Sequence, residues 1–195
     1  MTATADKINL LGMSQDMLEQ FFAERDEKPF RARQLMQWIY QRGVVDFEEM
    51  TDLSKKLRER LHQDAEIVLP EVQSRFDSAD GTVKWLFATD CGQAVETVFI
   101  PEPARGTLCI SSQVGCALDC AFCATGAQGF NRNLTSAEII GQVWQANSEL
   151  PRRENGELAV TNVVFMGMGE PLANYRNVIP VLKLLVSDLA CGLSR

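Results

Sequence analysis

Three cysteines, Cys116, Cys120 and Cys123, stand in the order C-x₃-C-x₂-C. Thiolates this close on one loop suit a soft metal, either zinc or an iron–sulfur cluster. Ligand number separates the two. A closed zinc site takes four ligands, commonly as C-x₂-C pairs, and the single histidine, His62, is remote in sequence. Three thiolates can instead hold three irons of a [4Fe–4S] cluster and leave the fourth iron open to a chelating small molecule. A structural zinc that borrows Cys109 as its fourth ligand is the alternative. Phe122, inside the last step of the motif, reads either as packing or as an aromatic wall for a nucleoside.

A second loop, Met166-Gly167-Met168-Gly169-Glu170-Pro171, follows an apolar run at 159–165. Glycines let backbone carbonyls approach a ligand closely, and a carboxylate beside them can accept hydrogen bonds from an ammonium group. Alone, the segment reads equally well as a plain strand-to-helix turn.

These loops need elements to position them. Residues 1–65 read as a small helical domain. Ser14 caps a helix to about residue 25, with Met17, Leu18, Phe21 and Phe22 on one face. A second helix runs over 31–42 with Leu35, Trp38 and Ile39 inward and Gly43 as the stop. Ser54 caps a third, which carries Leu57 and Leu61. Residues 66–106 turn to strands, with a hairpin-like turn at Ala79-Asp80-Gly81 and a strand over 95–100. From residue 107 the order becomes strand (107–112), cysteine loop, helix, strand (159–165), glycine loop and helix (175–189). Thr135 and Glu138 form a capping box for the first of these helices. The 159–165 strand reads as covered on both faces. Two β-loop-α units predict a parallel sheet with its site at the C-terminal strand ends. The fold class is therefore α/β: a helical domain, a β section and the first two units, over 107–195, of an incomplete (β/α) barrel.

Composition sets the outer bounds. The chain has 195 residues, with 26 acidic and 19 basic side chains, a net charge of −7 and six cysteines. That charge argues against coating nucleic acid by bulk attraction. No apolar run approaches a membrane span, and no signal peptide is evident, so cytoplasmic location and no membrane partner are expected. A disulfide framework is then a poor reading of the cysteines. Nine of the 19 basic residues fall between Arg25 and Arg60, beside seven acidic ones. Arg31, Arg33, Lys55, Lys56, Arg58 and Arg60 decorate helices there, as solvated faces or as a phosphate-gripping surface.

The cysteine motif after a first barrel strand resembles the radical S-adenosylmethionine superfamily, and the glycine loop resembles that superfamily's glycine-glycine-glutamate loop in position. Longer strings narrow the likeness: Val95-Glu96-Thr97-Val98-Phe99-Ile100-Pro101, Leu108 to Cys116, Gly129-Phe130-Asn131-Arg132-Asn133-Leu134 and the glycine loop. Together they are similar to the RlmN/Cfr family of RNA adenine methyltransferases, and the likeness extends over essentially the whole chain.

The resemblance implies a [4Fe–4S] cluster on Cys116, Cys120 and Cys123, and S-adenosylmethionine held with the help of Gly169 and Glu170. It implies methylation of adenine C2 in 23S rRNA and tRNA through a methyl-cysteine intermediate, by a monomer served by a flavodoxin-type electron donor. The helical domain becomes the RNA-gripping module. Cys109 matches the cysteine that resolves the protein–RNA adduct, ending in a disulfide with a downstream methyl-carrying cysteine. Glu96 matches the proton acceptor, with a raised pKa if buried. The methyl-carrying cysteine lies beyond residue 195 in the family, so the chain alone is expected to be inactive. Cys91 and Cys191 are expected to be packing residues. Methylation at C8, activation of another protein, and a noncatalytic zinc-containing RNA-binding module are the rival functions.

Overall fold

The computed structural model describes residues 7–193 except 119 and 122. Helices α1 (Gln15–Ala23), α2 (Phe30–Met36) and α3 (Lys55–Asp64) gather first, and the short parallel pair β1 (Ile8–Asn9) and β2 (Ala65–Glu66) ties their two ends together. Leu18, Phe21 and Phe22 of α1 are buried, whereas Met17 lies off that face and is exposed. The helix expected over 31–42 is α-helical only to Met36. It then widens into a π turn over Gln37–Gln41, where Arg42 N–H reaches Gln37 O at 3.0 Å. At this turn the Trp144 indole N–H donates to Ile39 O at 2.7 Å. The side chain of Ser54 caps α3 by accepting from Leu57 N–H.

The next strands are β3 (Val72–Asp77), β4 (Val83–Ala88), β5 (Ala94–Pro101) and β6 (Gly106–Cys109); β7 (Gln113–Gly115) and α4 (Ala124–Ala127) follow, then β8 (Phe130–Asn133), α5 (Ser136–Glu149), β9 (Asn162–Val164) and α6 (Tyr175–Val186). One five-stranded sheet runs in the order β3-β4-β5-β6-β9, antiparallel except for the parallel step from β6 to β9. The expected β–loop–α succession is present as β6, α5, β9 and α6. The strands of 66–106 hydrogen-bond directly into the same sheet.

Two expected strands are shorter than the apolar runs that suggested them. The run 107–112 is a regular strand only to Cys109, the end of β6, and the following β7 leaves the sheet to pair antiparallel with β8. The run 159–165 pairs regularly only over β9, which is half-buried and ends the sheet order, so it is not covered on both faces.

Alternation decides which sheet face is packed. Val83, Trp85, Phe87, Val95, Thr97, Phe99 and Leu108 are buried, in one core with Ile139, Ile140, Val143 and Ala146 of α5. The opposite face, carrying Leu86, Glu96, Val98, Ile100 and Cys109, is half-buried or exposed. Thr135 and Glu138 form the expected capping box, with Glu138 N–H on Thr135 Oγ1 at 3.2 Å and Thr135 N–H on Glu138 Oε2 at 2.8 Å.

Candidate active site

The cysteine loop leaves β7 through Gly115, whose φ is +73°. A Cβ there would fall 1.8 Å from Gly129 O, so only glycine lets the two ends of the loop meet. Cys116 N–H donates to that same carbonyl at 3.2 Å. Cys116 is buried, and its Sγ accepts from Leu118 N–H at 3.4 Å. Cys120 is exposed and Cys123 half-buried. Hydrogen bonds from the backbones of Gly126 and Thr125 hold the Cys123 thiol below its ordinary pKa, which favours the thiolate that a metal requires.

Among the described residues, no three His, Cys, Asp or Glu side chains are already gathered about one point. The three thiols therefore share a loop without converging. Their chemistry still fits a three-thiolate cluster: three soft donors in one loop, one of them biased toward its charged form. His62 sits on α3, 3.4 Å from Glu48 and 3.9 Å from Asp46. Phe122, read as a nucleoside wall, lies outside the described residues.

Cys109 ends β6. Its register partner on β5 is Val98, so strand alternation puts Glu96 on the same sheet face as Cys109. Burial pushes the Cys109 thiol up, and a hydrogen bond from the Met166 backbone acts the other way. Glu96 is not buried. Val95, Thr97 and Phe99 take the core positions of β5, leaving Glu96 half in solvent and paired with Lys84 Nζ at 3.1 Å. The burial on which the acid–base reading of Glu96 is conditioned is not found.

The glycine loop closes over the end of β6. Gly167 N–H donates to Ile110 O at 3.1 Å, and Ser112 N–H to Met168 O at 2.8 Å. The Ser111 hydroxyl donates to Glu96 O at 2.6 Å and accepts from Met168 N–H at 2.9 Å. Gly169, at φ +94°, lies against Gln113, where an added Cβ would come within 2.4 Å of the Gln113 Cβ. Glu170 N–H donates to Gln113 Oε1 at 2.8 Å, and Glu170 Oε1 caps the following turn by accepting from Leu172 N–H at 3.0 Å. The cysteine loop, Cys109 and the glycine loop thus meet at the C-terminal ends of the parallel strands β6 and β9.

Sequence reasoning passed over the side chains that hold this meeting together. Gln142, fully buried on α5, accepts at Oε1 from Thr97 Oγ1 (2.6 Å) and Ser111 N–H (2.8 Å), and donates from Nε2 to Ser111 O (3.0 Å). Asn174 donates to Ser112 O and Leu134 O, each at 2.8 Å. The available signal was a glutamine inside the apolar stripe Ile139, Ile140 and Val143, since a buried amide must find partners.

The remaining thiols divide. Burial pushes Cys191 up to about 12, in keeping with a packed thiol. Cys91 is exposed, with its Sγ 3.1 Å from Thr89 Oγ1 and its pKa lowered by that hydrogen bond, so the packing role expected of it is corrected. All six cysteines are free thiols.

In the helical region most cations are already engaged. Arg25 and Arg60 face Asp64, Arg31 faces Glu27, Arg58 faces Glu48, and Lys55 faces Glu59. Lys28, Arg33 and Lys56 are exposed.

Residues 8–67 match the family model described as the ribosomal RNA large subunit methyltransferase N-terminal domain. The chain is 55% identical over 195 residues to the dual-specificity RNA methyltransferase RlmN of Marinobacter nauticus, covering 100% of this chain and 53% of that protein. It is 57% identical to the protein of the same name from Saccharophagus degradans, covering 100% of this chain and 49% of the relative. The crystal structure of a radical SAM methyltransferase from Sphaerobacter thermophilus superposes with a TM-score of 0.83 at 38% identity, covering 96% of this chain and 54% of that one. The chain spans about half the length of the relatives it matches.

Proposed function

We propose that this chain, whose residues 8–67 match the ribosomal RNA large subunit methyltransferase N-terminal model and which aligns over its full length with about half of RlmN-type relatives, supplies the RNA-gripping and cluster-binding half of a radical S-adenosylmethionine enzyme that methylates adenine C2 in 23S rRNA and tRNA. The observation that carries this reading is the meeting of the cysteine loop, Cys109 and the Gly169–Glu170 loop at the ends of two parallel strands. Ligands of α/β folds collect at such strand ends. On this reading, residues 107–195 are the opening units of a partial barrel, and the open sheet face with Glu96 and Cys109 is its interior.

Cys116, Cys120 and Cys123 would hold a [4Fe–4S] cluster, and the Gly169–Glu170 loop would receive the ammonium end of S-adenosylmethionine on the Glu170 carboxylate. Held by these residues, the cofactor pair would supply hydrogen-abstracting radical chemistry. The chain's own residues handle protons and sulfur. Cys109, raised in pKa, stays a thiol at neutral pH and needs a base before it can act as a nucleophile. Glu96 occupies the same face one diagonal step away, about 7–8 Å between backbones, and is the proton acceptor. The Cys109 thiolate would then attack the sulfur of the family's methyl-carrying cysteine. The S–S bond forms as the bond from that sulfur to the transferred carbon breaks, and the carbon keeps the electron pair and takes a proton to become the methyl group.

The target adenine must leave its stack to meet these groups, and phosphate contacts from the helical region position the RNA without selecting sequence. Exposed Lys28, Arg33 and Lys56 are candidates for that role. No helix among the described residues is long and apolar enough to cross a membrane, and a cytoplasmic monomer reduced by a flavodoxin-type donor completes the reading.

Anaerobic reconstitution with iron and sulfide, followed by metal analysis, tests the cluster. About four irons and four sulfides per chain, lost when Cys116, Cys120 or Cys123 becomes alanine, is the expected result. One tightly held zinc that also requires Cys109 would overturn it in favour of a structural zinc module.

A further inference from the structure

Gln113 stands at the root of the cysteine loop and is buried, with 2% of its surface exposed. Both ends of its amide are engaged: Oε1 accepts from Glu170 N–H at 2.8 Å, and Nε2 donates to Asn133 Oδ1 at 2.8 Å. Asn133 closes the far end of the cysteine loop, as the β8 partner of Gln113 itself. The Gln113 backbone N–H adds a contact to Met168 O at 3.2 Å. Gly169 packs flat on its side chain, closely enough to exclude a Cβ. One side chain therefore touches both ends of the cysteine loop and the backbone of the candidate cofactor carboxylate.

We propose that Gln113 is a positioning residue, a buried strut that fixes Glu170 relative to the cluster thiols and so orients the amino-acid end of S-adenosylmethionine. This rests on the cofactor reading above. Length and partners both support the role. The Glu170 N–H is half-buried, so drifting from Gln113 Oε1 gives up a hydrogen bond that water replaces only in part. The same amide anchors the strut to β8 at its other end. Small misplacements of a binding group carry large penalties in oriented sites.

Two variants separate a strut from a filler. Gln113→Met keeps length and bulk but removes both hydrogen bonds. Gln113→Glu keeps the acceptor for Glu170 N–H, and Asn133 can turn its own amide to donate to it. In the cluster-free chain, hydrogen exchange at the Glu170 amide should be about tenfold faster in Gln113→Met and close to wild type in Gln113→Glu. In the reconstituted chain, calorimetric titration with S-adenosylmethionine should give a Kd about tenfold weaker for Gln113→Met, with iron content unchanged. Unchanged exchange at Glu170 in Gln113→Met overturns the strut. Faster exchange with undiminished affinity overturns its role toward the cofactor. A wild-type chain that binds no S-adenosylmethionine overturns the cofactor reading and that role together, while the exchange result still decides whether Gln113 holds the loop.

Discussion

Glu96 and Cys109 lie on one face of the sheet from adjacent antiparallel strands, with Val98 directly opposite Cys109 fixing their offset. Neither sits in the packed core. The backbone behind them is held from the other side, where the Ser111 hydroxyl donates to Glu96 O and Gln142 takes the Ser111 amide. A half-open pair of reactive groups thus rests on a fully buried hydrogen-bonded support.

That contrast separates two substitutions. Ser111→Ala leaves Met168 N–H and Glu96 O without a buried partner and should lower stability by about 1–3 kcal/mol. Lys84→Ala removes only the solvent-facing ion pair with Glu96 and should cost less than about 1 kcal/mol. Urea unfolding of both variants checks the order, and equal losses would contradict it.

Gly115→Ala should damage the cysteine loop more than its surroundings. The added Cβ would overlap Gly129 O in a left-handed backbone that disfavours side chains. The expected outcome is iron retention after reconstitution reduced to a small fraction of wild type, while the far-ultraviolet circular dichroism stays close to it.

Thiol labelling of the cluster-free chain should follow the pKa directions. Exposed Cys91 and loop Cys123, both lowered, should react with iodoacetamide at lower pH than an ordinary thiol. Cys109 and Cys191, both raised by burial, should lag and gain rate only at higher pH. Peptide mass spectrometry from pH 6 to 10 reads the order, and Cys109 labelling first would contradict it.

Cys191 also predicts an alkaline limit. Its pKa is ordinary in the unfolded chain and about 12 in the fold. The stability it contributes is complete below the unfolded value and declines as pH rises toward the folded one. The Tm should therefore fall between about pH 9 and 12, and Cys191→Ala should flatten that fall.

Much of this layout was legible in the residues. The three helices, the β–loop–α succession and the Thr135–Glu138 box follow from periodicity and caps, which are local. The loop partners were not legible, because Gln142 meets Thr97 and Ser111 only through tertiary contact. The exposure of Glu96 escaped for a related reason: alternation leaves open which set of β5 residues faces the core, and α5 decides that. The early end of β6 is similar: 107–112 reads as one strand, but Ser111 and Ser112 bond the glycine loop instead. The basic helices read as one surface, but their ion pairs appear only in three dimensions.

RNA binding should follow the unengaged cations rather than the basic count. Arg33→Glu with Lys56→Glu should weaken it and lower the salt slope by about 0.7–0.9 for each phosphate no longer neutralised. Arg58→Glu should act mainly by disturbing its pairing with Glu48. Filter binding across salt concentrations distinguishes these effects, and undiminished affinity in the double variant would contradict the assignment.

If the cysteine loop and the Glu170 loop form one site, electron paramagnetic resonance of the anaerobically reconstituted, reduced chain will register both. A [4Fe–4S] signal that vanishes in Cys116→Ala, Cys120→Ala and Cys123→Ala is expected. S-adenosylmethionine should change this signal in wild type and far less in Glu170→Ala. A cluster signal indifferent to S-adenosylmethionine, or a chain that takes up zinc and shows no signal, would refute the single site.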